Sequence, residues 1–239
     1  LSEKSHASEA TIVRTCKKLG YQGYYHLKIA LAKEVINPDN SYPDNTDFTD
    51  ITSLATFLLK KQAEDLIQST QFFNAEVLES ILKLLANCDT IFFFAAGNSN
   101  PLAVYSAYKF SQLGLKTVVH VSPEMQINAA YSMGKRDLAI GISNSGSTNL
   151  MVDIFKVVKE RGAKSVCITN YIKSPLSKLS THQLNTAVSD KIFFEAFDST
   201  RVPAMGVIDM LVLLFMYKNK AHYEKYRTRE EFLGSRFKG

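Results

Sequence analysis

Two short stretches of this 239-residue chain place small hydroxylated and glycine residues where an apolar run stops and a helical pattern begins. IFFFAA at 91–96 runs into Gly97, Asn98 and Ser99, and LAIGIS at 138–143 runs through Ser143, Asn144, Ser145, Gly146, Ser147 and Thr148. Such turns suit a phosphate. Free amides at a helix start, together with the helix dipole, attract an anion; hydroxyls add donors, and glycine lets the backbone approach closely. The same residue types also build plain turns and helix caps, so each turn alone leaves both readings open. No GxxxxGK followed by Ser or Thr occurs, which excludes a P-loop nucleotide triphosphatase, and the lack of GxGxxG weakens a dinucleotide reading. Groups able to move a proton at a sugar carbon are present as His120, Glu124, His182 and Glu195. Each also has a plain structural reading: His120 within an apolar strand, Glu124 and His182 near element ends, and Glu195 in a loop.

A different chemistry is spelled by residues 8–19, SEATIVRTCKKL. Ser8 suits a helix N-cap, Glu9 meets the positive end of the dipole, and Gly20 stops the helix. With Ala10, Val13 and Leu19 facing inward, Thr11, Arg14, Thr15, Lys17 and Lys18 form an exposed, basic and hydroxyl-rich side. Preceded by LSEKSHA as the end of another helix and a tight turn, the segment has the form of a helix-turn-helix whose second helix enters the major groove. Downstream, YQGYYHLKIALAKEV offers amides, tyrosines and lysines for phosphate contact. An ordinary amphipathic surface helix is the competing reading of the same residues.

The elements that must position these groups follow from hydrophobic periodicity. Leu54, Leu58, Leu59, Ala63 and Leu66 recur at helical spacing, as do Val77, Ile81, Leu84 and Leu85, predicting two amphipathic helices. Beyond Thr90, apolar runs at 91–96, 117–121, 138–143 and 165–169 alternate with amphipathic segments at 99–113 and 148–161 that end at Gly114 and Gly162. Runs this apolar suit strands buried on both faces of a parallel sheet. The rhythm predicts an α/β fold, a doubly wound parallel sheet flanked by helices. Residues 37–50, NPDNSYPDNTDFTD, read as a linker between a head at 1–36 and a body at 51–239. Helix 202–217, apolar apart from Asp209, reads as core, and RTREEFLGSRFKG as a solvated terminal stretch.

Composition narrows the classes further. With 46% hydrophobic and 21% charged residues, the chain is no disordered tail, collagen-like repeat or disulfide mini-protein. Its net charge of +5 is uneven: +3 over 1–36, −2 over 37–217 and +4 over 218–239. Basic ends on a near-neutral body fit nucleic-acid contact or a solvated surface. Three cysteines, Cys16, Cys88 and Cys167, without CxxC fit a reducing cytoplasmic compartment and give no zinc site. No metal or cofactor is expected. The longest apolar stretch, Val207 to Tyr217, reaches about half the ~20 residues of a membrane span, so no membrane partner is expected.

Resemblance adds to this reading. SEATIVRTCKKLGYQGYYHLKIALA closely resembles the end of the N-terminal DNA-binding domain of RpiR-type bacterial transcriptional regulators. Ser8, Thr11, Ile12 and Arg14 stand where that family opens its recognition helix; Lys17, Lys18, Leu19, Gly20, Tyr21 and Gly23 match the turn that follows. FFFAAGNSNPLA, DLAIGISNSGSTN, GAKSVCITNYIKSPLSKLS and STRVPAMGVIDML resemble successive signatures of a sugar isomerase (SIS) domain, the phosphosugar-binding module that follows the helix-turn-helix in those regulators. The resemblance implies that Ser99, Ser143, Asn144, Ser145, Gly146 and Thr148 bind a sugar phosphate, in a site that also takes in Gly97, Asn98, Ser147 and Glu195. It implies that Ser8, Thr11, Arg14, Thr15, Lys17 and Lys18 meet a double-stranded DNA operator, in a homodimer or homotetramer reading two half-sites. It further implies a sensor and not an enzyme, and places the opening helices of the DNA-binding domain outside this chain. Two positions depart from the pattern: Ser147 replaces the usual glutamate, and Ala95 replaces a glycine of the first turn. Both spare the phosphate hydroxyls and leave the sugar end open. The alternative is a phosphosugar isomerase or related SIS-domain enzyme.

Overall fold

The computed structural model describes residues 8–21, 23–24, 27, 50–187 and 201–237. The chain divides into two units, residues 1–49 and 50–239. In the first unit, α1 spans Glu9–Lys18. Ser8 caps it, its hydroxyl accepting the Thr11 amide at 3.2 Å, and Gly20 follows with φ +86°. Its inward face differs from the expectation: Cys16 is buried, whereas Val13 and Leu19 are 39% and 62% exposed and Ala10 is exposed too.

The second unit opens with α2 (Ile51–Ser69) and α3 (Ala75–Asn87). Then β1 (Ile91–Ala95), α4 (Asn100–Gln112), β2 (Thr117–Val119), α5 (Pro123–Ser132), β3 (Leu138–Ile142), α6 (Asn149–Glu160) and β4 (Lys164–Thr169) follow. The short α7 (Pro175–Leu179), β5 (His182–Asn185), α8 (Arg201–Lys218) and α9 (Lys220–Phe237) complete the described residues. The strands form one parallel sheet in the order β2-β1-β3-β4-β5. Because side chains alternate across a strand, β1 sends Ile91, Phe93 and Ala95 to one core and Phe92 and Phe94 to the other. The first core is closed by α3, α4 and α8, the second by α5, α6 and α7. Both faces of the sheet are therefore dry, which is what its apolar runs anticipate.

Gly141 lets α6 sit this close to β3: a Cβ there would lie 2.6 Å from Phe155 Cε2 and 3.2 Å from Met151 Cε, both on fully buried side chains. Gly141→Ala is expected to cost about 1–3 kcal/mol by overpacking, read as a lower urea midpoint at unchanged slope.

Two predicted elements change. The run 117–121 ends at Val119, because Ser122 and Pro123 begin a helix there, so His120 lies past the strand and is partly exposed. RTREEFLGSRFKG joins α9, where Arg227 pairs with Glu224 at 2.9 Å and Glu231 at 3.5 Å along the helix. Among the described residues no single helix is long and apolar enough to cross a membrane, and no cluster of three metal-ligating side chains occurs.

Candidate functional site

The strand order reverses between β1 and β3, since β2 lies on one side of β1 and β3 on the other. In doubly wound sheets a ligand crevice opens at the carboxyl ends of the strands at such a point. The two serine-bearing turns emerge there. Gly97–Ser99 form one helical turn after β1, with Gly97 at φ +56°. Residues 143–148 join β3 to α6, with Gly146 at φ +58°.

The helix starts at these turns differ from others in the molecule. Asp50, Asn74 and Ser174 each use a side-chain oxygen to cap the helix they precede. Ser99 before α4 and Thr148 before α6 make no such bond, although each carries a hydroxyl, and Ser122 before α5 likewise makes none. First-turn amides of α6 thus keep their capacity for an outside acceptor, whereas at α4 the Asn100 amide is taken by Gly97 O and Pro101 has none. Ser145 Oγ accepts the Ser147 amide at 3.3 Å and the Ser147 hydroxyl at 3.1 Å, which shapes the turn and leaves the Ser145 proton to donate.

The second turn is clamped from β4. Asn144 O accepts the Asn170 amide and the Thr169 hydroxyl, both at 3.0 Å, and Gly146 O accepts the Leu176 amide at 2.9 Å. Ser143 is buried, its amide bonded to Ile168 O at 3.0 Å, so its contribution is to fix the loop. The first turn is steadied by Gln126 of α5, almost fully buried, whose amide group receives the Ala95 N–H at 3.2 Å and donates to Ala95 O at 2.8 Å. That side chain serves β1 where β2 has already ended.

Between the turns lies a small cleft lined by Asn98, Ser99, Leu102, Ile142, Asn144, Ile168, Thr169, Thr186, Arg201 and Ala204. Of the residues expected from sequence, Asn98, Ser99 and Asn144 line it. Ser145, Gly146, Ser147 and Thr148 continue the same turn beyond the lining, Gly97 precedes it, and Glu195 lies outside the described residues. Three polar lining residues lie outside the expected set: Thr169 at the end of β4, Thr186 just after β5, and Arg201 at the start of α8. Arg201 supplies the cleft's cation. It falls within STRVPAMGVIDML, one of the stretches that resemble a SIS signature, but the stretch by itself does not single out the arginine as a site residue.

Three of the candidate proton-transfer groups, His120, Glu124 and His182, sit elsewhere. His182 begins β5, at the opposite end from Thr186; burial first, then the charge of Lys164, lowers its pKa. His120 and Glu124 follow β2, on the far side of β1 from β3. Burial holds the Cys88 and Cys167 thiols up at about 11, so neither offers a thiolate near neutral pH. In α8, Asp209 accepts the Tyr105 hydroxyl at 2.6 Å, raising that phenol to about 12, and lies 3.7 Å from Lys109, while Val207, Ile208, Leu211 and Phe215 are buried.

In the first unit, Ser8, Thr11, Arg14, Thr15, Lys17 and Lys18 are all exposed along α1. Ser8 and Thr11 hydroxyls bond each other at 2.9 Å, and Thr15 donates back to Thr11 O at 2.9 Å. The three cations are left projecting from one short helix.

Comparison with known proteins agrees with this architecture. Residues 84–214 match the SIS domain, and residues 1–38 match the helix-turn-helix domain of the rpiR family. The chain is 30% identical over 231 residues to an uncharacterized HTH-type transcriptional regulator of Caldanaerobacter subterraneus subsp. tengcongensis, covering 95% of this chain and 80% of that one. It is 29% identical over 214 residues to the bifunctional protein glk of Burkholderia thailandensis, covering 89% of this chain and 33% of that protein. The solved structure of the Vibrio vulnificus NanR protein complexed with ManNAc-6P shares the fold, with a TM-score of 0.75 at 23% identity over 97% of this chain and 83% of that one. Fold and matches together define the class, a SIS domain carried behind a helix-turn-helix segment. The chain belongs to the rpiR family of helix-turn-helix transcriptional regulators.

Proposed function

We propose that this regulator binds a phosphorylated sugar in the cleft between the two turns, answers it by changing its hold on operator DNA, and does not turn the sugar over. The observation that carries the reading is that Ser99 of the first turn, Asn144 of the second and Arg201 of α8 line one cleft at the strand switch point. Dipoles, amides, hydroxyls and a cation there match the charge and donor needs of a phosphate. The NanR protein of the same fold was solved with ManNAc-6P, which makes hexosamine 6-phosphates the first compounds to test. The non-catalytic part of the proposal is carried by the family of this chain. Its relatives include proteins called transcriptional regulators. On the head, Ser8, Thr11, Arg14, Thr15, Lys17 and Lys18 are the proposed DNA-contacting set, in a homodimer or homotetramer.

Calorimetric titration of the protein with N-acetylmannosamine 6-phosphate, glucose 6-phosphate and the unphosphorylated sugars tests the ligand class. Binding by at least one phosphate ester and by neither free sugar is expected; equal binding of free sugars would sink the phosphate reading. Isomerisation of either ester at ordinary enzyme rates would sink the non-catalytic one. Ser145→Ala is expected to weaken phosphate-ester binding by about 1–3 kcal/mol, through loss of a hydrogen bond to a charged group. An unchanged dissociation constant would mean that the ligand sits away from this turn.

A further inference from the structure

The last residue of α2, Ser69, is fully buried and makes two hydrogen bonds with one hydroxyl. It donates to Asp65 O in its own helix at 2.8 Å and accepts the Ala187 amide at 2.9 Å. Ala187 follows Thr186, a wall of the cleft, whose own amide donates to Thr169 O at 3.1 Å. Residues 186–187 have run past β5, so no neighbouring strand takes up the buried Ala187 amide; a side chain from α2 takes it instead. One turn earlier, Leu66 of α2 lies over Gly206 of α8, where a Cβ would collide with its terminal methyl. Gly206 follows Ala204 by two residues and Arg201 by five on α8, and both of those line the same cleft. A single helix therefore touches two walls of the cleft, once by a hydrogen bond and once by a close helix–helix approach. That helix begins at Asp50, directly after the residues that lead out of the head.

We infer that α2 is the element that reads occupancy of the cleft, through Ser69 on the Thr186–Ala187 wall and Leu66 on α8. The inference rests on the proposed anion-binding role of the cleft. An anion drawn to Arg201 and the two turns fixes α8 and residues 186–187, and each wall in turn fixes the carboxyl-terminal half of α2. Coupling of this kind is reciprocal, so whatever orders α2 from the side of the head also tightens the cleft.

Hydrogen exchange on the whole protein tests this, with inorganic phosphate as the probe and chloride at matched ionic strength as the control. At a phosphate concentration ten times its own dissociation constant, amides at 97–100 and 144–150 are expected to exchange about tenfold more slowly, with matching slowing at 66–73 and 186–187. Slowing at the turns with none over 66–73 would overturn the role of α2 and leave the ligand reading standing. No slowing at the turns would overturn both. In Ser69→Ala the protection of 66–73 is expected to vanish while that of the turns remains; unchanged protection of 66–73 would overturn the role of Ser69. Leu66→Ala, at a position 37% exposed and thus tolerant of truncation, is the second variant and is expected to weaken the same protection. The wild-type comparison decides the coupling even if Ser69→Ala does not fold.

Discussion

Gly146→Ala is expected to destabilise the body by about 2–5 kcal/mol and to abolish anion binding in the cleft. Two costs act together. Gly146 holds φ +58°, a left-handed conformation that costs an L-residue about 1–2 kcal/mol. A Cβ there would also lie 2.5 Å from Ser174 Cβ and 2.9 Å from Thr169 Oγ1. Neither neighbour has room to retreat. Ser174 is fully buried and its Oγ accepts the Ser177 amide at 3.1 Å as the cap of α7, while the Thr169 hydroxyl is committed to Asn144 O. Overpacking of that kind costs about 1–3 kcal/mol. Relief must come from the 143–148 turn itself, which carries Asn144 into the cleft, so stability and binding fall together. Chemical denaturation gives the first quantity and titration with inorganic phosphate the second; a loss below about 1 kcal/mol would contradict the packing argument.

Arg201→Ala is expected to weaken binding of a phosphate ester about 10- to 100-fold while leaving the unfolding midpoint nearly unchanged. The separation follows from position. Arg201 is exposed at the first turn of α8, and the core contacts of that helix come from Pro203, Ala204, Val207 and the residues after them. Arg201→Lys retains the charge but loses the planar fork, so partial recovery is expected. Titration calorimetry on the three proteins reads this directly. Wild-type affinity in Arg201→Ala would remove the guanidinium from the site.

Much of this architecture is legible in the sequence. Continuous apolar runs marked β1, β3 and β4 because both faces of those strands are buried, and glycine and serine punctuation marked the turns that follow them. The unread parts share a physical cause, which is that their partners are distant in sequence. Strand β5 is four residues, HQLN, without alternation, at the edge of the sheet, and is recognised only by pairing with β4. Helix α5 carries a buried glutamine that answers backbone groups 31 residues away, so its polarity hid its role. Arg201 lies 102 residues beyond Ser99 and meets it only when the sheet is assembled. On α1 the apolar pattern points Ala10, Val13 and Leu19 inward, whereas the buried side chain is Cys16, because a ten-residue helix offers too few apolar positions to fix its phase.

One chain is expected to couple a phosphorylated sugar to an operator. The direct measurement is a gel-shift titration of the full-length protein against the DNA upstream of its own gene, from low to physiological salt, with and without the phosphate ester selected by calorimetry. The expected result is a shift whose affinity falls steeply with salt, as lysine and arginine contacts to phosphates release counterions, and a midpoint moved about 5- to 150-fold by the ester but not by the free sugar. Absence of any shift at low salt, or a midpoint indifferent to the bound ester, would contradict it.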